Sequence, residues 1–366
     1  MEIGIIGLAK SGKTTVFNAL TKGEAQTGAY SSAALAPNIG VVKVPDPRLD
    51  KLTQLLKPKR TVPAEVTYID IAAPAKGFGK SEGPSGQFLD YLSKADALAH
   101  VVRAFEDETI PHSEGTVDPE RDIGTMALEL AFSDLAIIER RLERLKDSLK
   151  GAKQQERELI SQEQALLAKV KSALEEDIPI REQDLSEQEV KAIENFQFLT
   201  AKPMLLLLNI GEDQLPEASS LETKIASRYR RQDCELAVLC GQLEMELTQL
   251  SDAEAQEFRA SLGLGESGLD RVIRLSYGLL GLISFFTIAS DEVKAWTIRR
   301  STTVHKAAGK VHSDMERGFI RAEVIGHDDL VKCGGVAEAR KQGLLRLEGK
   351  SYTVQDGDVV TVLFNV

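Results

Sequence analysis

Short apolar runs and longer amphipathic stretches alternate along the N-terminal part of the chain. The runs EIGIIG, IGVVKV, EVTYIDIA and ALAHVVRAF each have the length and composition of a buried β-strand. Between them, KTTVFNAL and GQFLDYLSKA have the apolar spacing of helices. Because strands that alternate with helices pair in parallel, this pattern predicts an α/β fold with a doubly wound sheet.

A seven-residue repeat replaces this alternation from about Thr125 onward. Two apolar positions recur in each heptad, and they are occupied by Leu128, Leu135, Leu142 and Leu149 and by Ala131, Ile138, Leu145 and Ala152. A second charged stretch repeats Ile160, Leu167 and Leu174 at the same interval, and EDIPI ends it. The repeats predict an antiparallel coiled-coil hairpin. The alternative is an ordinary amphipathic helix pair packed on the sheet, which the strict period disfavours.

The α/β pattern returns at AKPMLLLLNIGED, so the predicted hairpin interrupts the α/β domain. The run ELAVLC and the helical stretch GLDRVIRLSYGLLGL complete that domain. From about Ile283, short strands are predicted at ISFFTIA, VKAWTIRR, GFIRAEVI, LLRLEGK, YTVQ and VVTVLFNV, which indicates a small separate α+β domain. The predicted limits are 1–124 and 199–281 for the two parts of the α/β domain, 125–198 for the insertion and 282–366 for the last domain.

Composition narrows the class of protein. The net charge of -11 argues against a nucleic-acid coat over the whole chain, although it leaves room for a local basic face. The three cysteines, Cys234, Cys240 and Cys333, are too few for a disulfide framework and indicate a reducing compartment. No signal-like segment opens the chain, and no apolar run approaches the roughly 20 residues of a membrane helix. We therefore expect a mostly monomeric cytoplasmic protein without membrane contact.

The stretch GLAKSGKTT, residues 7–15, has the spacing G-x-x-x-x-G-K-[ST] of a phosphate-binding loop. Glycines in such a loop allow a tight turn and let backbone N–H groups approach phosphates. Lys13 would reach the β- and γ-phosphates, and the Thr14 hydroxyl would bind Mg²⁺. A chance match is the alternative, which the preceding strand and following helix disfavour. The predicted nucleotide-binding residues of the loop are Gly7, Ala9, Lys10, Ser11, Gly12, Lys13, Thr14 and Thr15.

Two polar residues that follow predicted strands extend this site. Asp70 ends EVTYIDIA, where a carboxylate can hold Mg²⁺ directly or through water. A helix cap or a surface carboxylate is the alternative for Asp70. Asn209 follows the run MLLLL, and an Asn amide can satisfy N6 and N7 of adenine. A turn residue without a ligand is the alternative for Asn209.

The residues after Asn209 bear on the choice of base. GTPases of the Ras type have N-K-x-D here, whereas this chain has Ile210 in place of the Lys and Glu212 in place of the Asp. The extra methylene of Glu212 displaces the carboxylate from the position that the two guanine donors need. We therefore predict that ATP is preferred to GTP, with Asn209, Ile210 and Glu212 at the base.

Seven stretches, in order along essentially the whole chain, match one family. They are GLAKSGKTTVFNALT, APNIGVVKVPDPRL, HVVRAFEDETIPHSEGTVDPERDI, LTAKPMLLLLNIGED, LISFFTIASDEVKAWTIR, AAGKVHSDMERGFIRAEVI and LRLEGKSYTVQDGDVVTVLFNV. The chain thereby resembles the YchF subgroup of the Obg-like translation-factor P-loop proteins. The resemblance implies a P-loop domain, a coiled-coil insertion and a C-terminal TGS domain of β-grasp type. It also implies slow Mg²⁺-dependent hydrolysis, ATP preferred to GTP, and association with the ribosome.

Both switch segments depart from the family pattern. In AYSSAALAPN, Ala33 and Ala34 stand where the family has a Cys and the Thr that reaches Mg²⁺. In DIAAPAKGF, Ala73 and Pro74 replace a Gly and a Leu. Pro74 has no N–H and restricts the residue before it, so a pliable phosphate contact is lost. The changes at Ala34, Ala73 and Pro74 predict slow turnover with retained binding, and they leave open a nucleotide-gated scaffold that barely hydrolyses.

The loop itself also departs from the family sequence G-x-P-N-x-G-K-S, with Ala9 for the Pro and Lys10 for the Asn. In some relatives that Asn belongs to a loop that positions a potassium ion against the phosphates. The ammonium of Lys10 carries the same charge, so Lys10 is a candidate catalytic residue beside Lys13. The alternative, which the flexibility of lysine favours, is a solvent-facing Lys10 that only strengthens phosphate attraction.

A basic stretch in the C-terminal domain is a candidate RNA contact. No acidic residue interrupts residues 295–313, which contain Trp296, His305 and His312 and the four basic residues Arg299, Arg300, Lys306 and Lys310. A solvated strand-and-loop face is an equally weighted alternative. We expect ribosome or RNA contact through the TGS and coiled-coil parts. A small-molecule kinase is a third interpretation, but it leaves the insertion and the last domain unexplained.

Overall fold

The computed structural model describes residues 1–23, 37–71, 84–151, 153–231, 233–289 and 291–365. The strands in chain order are β1 (Glu2–Ile6), β2 (Asn38–Lys43), β3 (Arg60–Val62), β4 (Glu65–Asp70), β5 (Ala97–Arg103), β6 (Met204–Asn209), β7 (Cys234–Leu239), β8 (Leu282–Ile288), β9 (Glu292–Arg299), β10 (Phe319–Gly326), β11 (Arg346–Glu348) and β12 (Asp358–Phe364).

The α-helices follow the same chain order. They are α1 (Lys13–Thr21), α2 (Pro47–Leu56), α3 (Pro84–Lys94), α4 (Pro119–Leu149), α5 (Gln154–Glu175), α6 (Glu187–Ile193), α7 (Ala218–Tyr229), α8 (Gly241–Leu247), α9 (Asp252–Ser261), α10 (Gly268–Leu279), α11 (Val304–Val311), α12 (Ser313–Arg317), α13 (His327–Cys333) and α14 (Val336–Lys341). No helix in the described ranges is long and apolar enough to cross a membrane.

The chain divides into two compact units. The first unit comprises Met1–Gly40 and Thr67–Arg271, and the second comprises Val41–Val66 and Val272–Val366. The segment between residues 41 and 66 therefore groups with the C-terminal part of the chain. The domain limits given from sequence stay predictions.

A six-stranded sheet with the order β2-β4-β1-β5-β6-β7 forms the centre of the first unit. Strand β1 pairs in parallel with β4 and β5, and β6 pairs in parallel with β5 and β7. Every residue of β5 and β6 is buried, which requires covered faces on both sides of the sheet. The α/β fold predicted from the alternating pattern is confirmed.

The predicted helical hairpin is formed by α4 and α5. Ile138, Leu145 and Leu167 are buried in a common cluster between the two helices. On the surface of the hairpin, the Arg141 guanidinium donates two hydrogen bonds to Glu163, at 2.7 and 2.8 Å. The antiparallel coiled-coil arrangement is thus confirmed along most of its predicted length.

The predicted seam is wrong at its first position, Leu128, whose surface is 44% exposed. At this end of α4, the buried residues are instead Ile123, Met126 and Leu130, which pack into the core of the sheet. The apolar face of α4 shifts around the helix at this point, because the first part of α4 packs against the sheet and the later part packs against α5. A strict seven-residue period suits only the helical partner, α5.

The second unit contains a mixed sheet with the order β11-β10-β12-β8-β9-β3. Strands β8 and β9 are antiparallel, as are β10 and β12, whereas β12 and β8 pair in parallel. Helix α11 contributes Val304 and Ala307 to the core of this sheet. The α+β character predicted for the C-terminal residues is confirmed.

One predicted strand of this unit, YTVQ, is wrong. The segment makes only an isolated bridge between Thr353 and Thr303. The Asp358 carboxylate accepts hydrogen bonds from the Tyr352 hydroxyl at 2.7 Å and from the Gln355 N–H at 2.8 Å. These two bonds tie the segment to the first residue of β12, just after the turn at residues 356–357, although the β-branched composition favours a strand.

Candidate nucleotide-binding site

The loop between β1 and α1 has backbone angles that require its two glycines. Gly7 has φ +152° and Gly12 has φ +90°, which are conformations that L side chains rarely adopt. A Cβ on Gly7 would lie 2.3 Å from the Val101 carbonyl oxygen, and one on Gly12 would lie 2.2 Å from Nδ2 of Asn209. The loop is therefore pressed against β5 and β6, with no room for a larger residue at either position.

Lys13 begins α1 and extends its side chain back over the loop. Its ammonium donates hydrogen bonds to the carbonyl oxygens of Gly7 and Leu8, both at 2.9 Å. Burial lowers the pKa of Lys13 to about 8, and the nearby Asp70 carboxylate opposes that shift. A cation held among carbonyl dipoles in this way is suited to receive an anion at the mouth of the loop.

Thr14 and Asp70 meet at the edge of the sheet where β1 and β4 end. The Thr14 hydroxyl donates to Oδ2 of Asp70 at 2.9 Å, and Asn38 Nδ2 lies 3.5 Å from the same oxygen. The other oxygen, Oδ1, is buried and has no hydrogen-bond partner within the described ranges. A hydroxyl beside a carboxylate with a free oxygen fits a hard divalent cation, so this pair suits Mg²⁺.

Asn209, at the end of β6, connects the loop to the next strand–helix junction. Its Nδ2 donates to the Ser11 carbonyl oxygen at 3.0 Å, and its Oδ1 accepts from the Gly241 N–H at 2.9 Å. Both partners are backbone groups, so the side chain acts as a brace between the loop and the start of α8. Sequence reasoning missed this brace, and pairing with adenine stays a prediction for Asn209.

The two residues proposed beside Asn209 lie in different surroundings. Ile210 is only 2% exposed and packs in the core of the first unit. Glu212 is exposed and begins a short 3₁₀ helix, Glu212–Glu217. Ile210 therefore supports the strand end from inside, and Glu212 alone of these two is accessible to a ligand.

Lys10 is exposed in the loop, in a left-handed conformation with φ +63°. Its ammonium lies 3.4 Å from the carbonyl oxygen of Pro111, in the segment that follows β5. Below that segment the buried Arg103 donates to the Phe105 carbonyl oxygen at 3.1 Å, and its guanidinium stacks 4.4 Å from the Phe105 ring centroid. The contact between Arg103 and Phe105 was not predicted from the sequence. The catalytic role of Lys10 stays a prediction.

The remaining predicted residues of the loop differ in exposure. Ala9 is exposed, Thr15 lies half-buried in the first turn of α1, and Ser11 is buried. The Ser11 hydroxyl has no hydrogen-bond partner in the described part of the chain. The three switch substitutions predicted to slow hydrolysis, Ala34, Ala73 and Pro74, lie outside the described residues, as does Ala33.

The basic stretch of the C-terminal domain is less uniformly positive than its sequence indicates. Arg299, Arg300, Lys306 and Lys310 are all exposed. The fold, however, brings the carboxylate of Glu316 within 2.7 Å of the Lys306 ammonium. The charge of Lys306 on this face is therefore offset by a neighbouring carboxylate.

Comparison with known proteins gives matches over the whole chain. Residues 2–129 match the family model described as "50S ribosome-binding GTPase". Residues 282–365 match the YchF-GTPase_C model, described as "Protein of unknown function (DUF933)".

Individual relatives match over their full length. The "Ribosome-binding ATPase YchF" of Bacillus subtilis (strain 168) is 43% identical over 100% of both chains. The protein of the same name from Escherichia coli O157:H7 is 41% identical over 100% of this chain and 99% of the relative. The solved structure of the Schizosaccharomyces pombe YchF GTPase has a TM-score of 0.85 and 32% identity, and the match covers 99% of this chain and 97% of that one.

Proposed function

The chain belongs to the YchF family, and from this membership and the loop geometry we propose that it is a Mg²⁺-dependent P-loop ATPase that associates with the ribosome. The observation that carries the proposal is the convergence of Lys13, Thr14 and Asp70 at one edge of the parallel sheet. Open α/β sheets bind ligands at this edge. Ribosome association implies a cytoplasmic location, and we propose that the protein acts as a monomer.

Each residue of this cluster has a separate task. The Lys13 ammonium would exchange its two loop carbonyl partners for phosphate oxygens. Thr14 and Asp70 would hold Mg²⁺, which when bound neutralises charge on the β- and γ-phosphate oxygens. The two glycines leave the loop N–H groups open to the anion, and Asn209 fixes the loop from behind. Positioning and electrostatic stabilisation of this kind supply most of the catalysis of phosphoryl transfer.

ATP preference is the finer part of this proposal and rests on Glu212. We expect the unmodified protein to bind ATP more tightly than GTP, and Glu212→Asp to narrow the difference by improving GTP binding. Because Ile210 is buried in the core, it is left unchanged in this test. Dissociation constants for both nucleotides, measured by calorimetry with Mg²⁺, decide the result.

The matched control for this test is Glu217→Asp, which shortens a carboxylate at the other end of the same 3₁₀ helix. It should leave both affinities unchanged. An unmodified protein that already prefers GTP tenfold, which corresponds to about 1.4 kcal/mol, would show that the base-site interpretation is wrong.

Ribosome contact through the basic face of the second unit is the other finer proposal. Replacing Arg300 and Lys310 by Glu should abolish salt-sensitive co-sedimentation with ribosomes, because phosphate contacts depend on surface cations. Arg300 and Lys310 are exposed, and their replacement leaves the Lys306–Glu316 pair intact. ATP affinity should stay the same in this variant.

The same change of charge made elsewhere on the second unit serves as the control. Lys332 and Lys350 are exposed outside the basic face, and the double Glu variant of this pair should sediment like the unmodified protein. If both double variants sediment equally with ribosomes, the basic face does not contact the ribosome and is a solvated surface.

A further inference from the structure

A cavity lies within the first unit, and none of its lining residues belongs to the loop that follows β1. Its volume is about 380 Å³, and it is lined by residues of β5, β6, α4 and the segment that returns from the hairpin. Cavities of this volume are within the range that binds small molecules. Nothing in the proposed hydrolysis or ribosome contact uses it.

The walls of this cavity are mainly apolar, with Met126, Leu130 and Leu206 among the lining residues. One wall is polar, since His100 of β5 also lines the cavity and is only 2% exposed. Burial, together with the positive charge of Lys13, lowers the pKa of His100 to about 3, so the imidazole is neutral at physiological pH. Its Nε2 has no hydrogen-bond partner in the described ranges, although buried polar atoms are almost always paired.

A cationic group with an unused donor also faces this space. The Arg181 side chain is 12% exposed, and its Nη1 donates to the Thr200 carbonyl oxygen at 3.2 Å. Its Nε donates no hydrogen bond among the described residues, although it lies 3.9 Å from a carboxylate oxygen of Glu182. The carboxylates of Asp233 and Asp134 also favour the charged guanidinium. Because a guanidinium cannot lose its proton, a buried one with a free N–H favours an anionic partner.

An exposed glycine, Gly124, lies among the residues that line the cavity. Gly124 lies in the first part of α4, where a glycine weakens the helix relative to alanine. A Cβ at this position would meet no atom within 4 Å, so no neighbouring group requires the glycine for close approach. Because Gly124 is exposed and also lines the cavity, a larger side chain at this position would lie at the mouth of the cavity.

We propose that this cavity binds a small amphipathic anion, with its carboxylate or phosphate on Arg181 and its apolar body against α4 and β6. His100 supplies a neutral polar contact inside the cavity. The ligand class is defined by this pairing of one buried cation with apolar walls. None of the residues that line the cavity belongs to the nucleotide loop, so binding there can be measured in the absence of nucleotide.

Calorimetric titration of the full chain with decanoate and with decyl phosphate tests the ligand class. At least one of these anions should bind with one-to-one stoichiometry, and about tenfold or more tightly than decanol, because a hydrogen bond to a charged partner contributes at least that factor. The two head groups separate a fatty acid from a phosphate ester as the preferred class. Equal binding of decanol or of decyltrimethylammonium would overturn the proposal, as would no binding of either anion.

Variants then locate the site. Gly124→Leu should fold, because leucine favours a helix and finds open space, and it should weaken binding of the anion about tenfold or more by covering the mouth of the cavity. Arg181→Gln should reduce the affinity for decanoate to that for decanol. The matched control is Gly278→Leu in α10, where a Cβ also meets no atom within 4 Å and the cavity is not involved. Unchanged binding in Gly124→Leu, or equal loss in Gly278→Leu, would contradict the assignment.

Discussion

Replacing Lys13 by methionine is expected to slow ATP hydrolysis by about a hundredfold to a thousandfold, since one preorganised donor to developing charge contributes about that much. Methionine keeps the length of the side chain and removes only the ammonium, which in this structure lies on the carbonyl oxygens of Gly7 and Leu8. Single-turnover hydrolysis at saturating ATP measures the effect without interference from product release.

The control for this change is Lys22→Met, at an exposed lysine just beyond the end of α1. It alters the net charge equally and should leave turnover unchanged. If Lys13→Met hydrolysed ATP at the unmodified rate, the loop would not be the catalytic site.

The pH dependence of binding belongs to the same prediction. The pKa of Lys13 is lowered from 10.5 to about 8 in the folded protein, so folding releases a proton between these values and stability rises with pH across that window. Bound ATP is an anion and therefore favours the charged form of the Lys13 ammonium, so ATP binding restores the proton that folding released. Binding should therefore take up a proton above pH 8 and weaken as pH rises further, and Lys13→Met should abolish this dependence. Calorimetry at pH 9 in buffers of different ionisation enthalpy measures the uptake.

Much of the fold could be predicted from the sequence, because the two patterns that were used, apolar strand runs and the heptad repeat, are local. Strands such as β5 and β6 are continuous apolar runs, and the hairpin repeats every seven residues, so each pattern depends only on neighbouring positions. The prediction failed where a helix changes partner, as at Leu128, and where one carboxylate turns a β-branched segment, as at Asp358. Both failures arise from contacts between residues that the pattern treats as independent.

The part of the candidate site that a continuous sequence motif forms could be predicted from the sequence. The loop from Gly7 to Thr14 and the carboxylate of Asp70 come together as the spacing and the strand ends indicate. The pairing of Lys306 with Glu316 and the cavity beside Arg181 could not be predicted, because each joins segments that carry no joint sequence signal. Tertiary contacts of this kind determine which charges are paired and where cavities lie, and the order of residues along the chain does not contain this information.

Asn209 gives the prediction that separates a structural from a ligand role most sharply. Asn209→Ala would leave the Ser11 carbonyl oxygen and the Gly241 N–H without their partners in the interior. Each unsatisfied buried group costs about 1–3 kcal/mol, so urea denaturation should show a loss of about 2–6 kcal/mol in the free energy of unfolding. The exposed Asn195→Ala is the control and should leave that free energy unchanged.

The same variant tests which part of the nucleotide depends on Asn209. If the side chain braces the loop, its removal should lower the affinities for ATP, GTP and inorganic tripolyphosphate by similar factors, because all three ligands bind through the loop backbone and Lys13. If the amide instead pairs with adenine, the affinity for tripolyphosphate should stay constant while the preference for ATP over GTP disappears. Since both ends of the amide are already bonded to backbone groups, we expect the first result. A selective loss of ATP would assign Asn209 to the base.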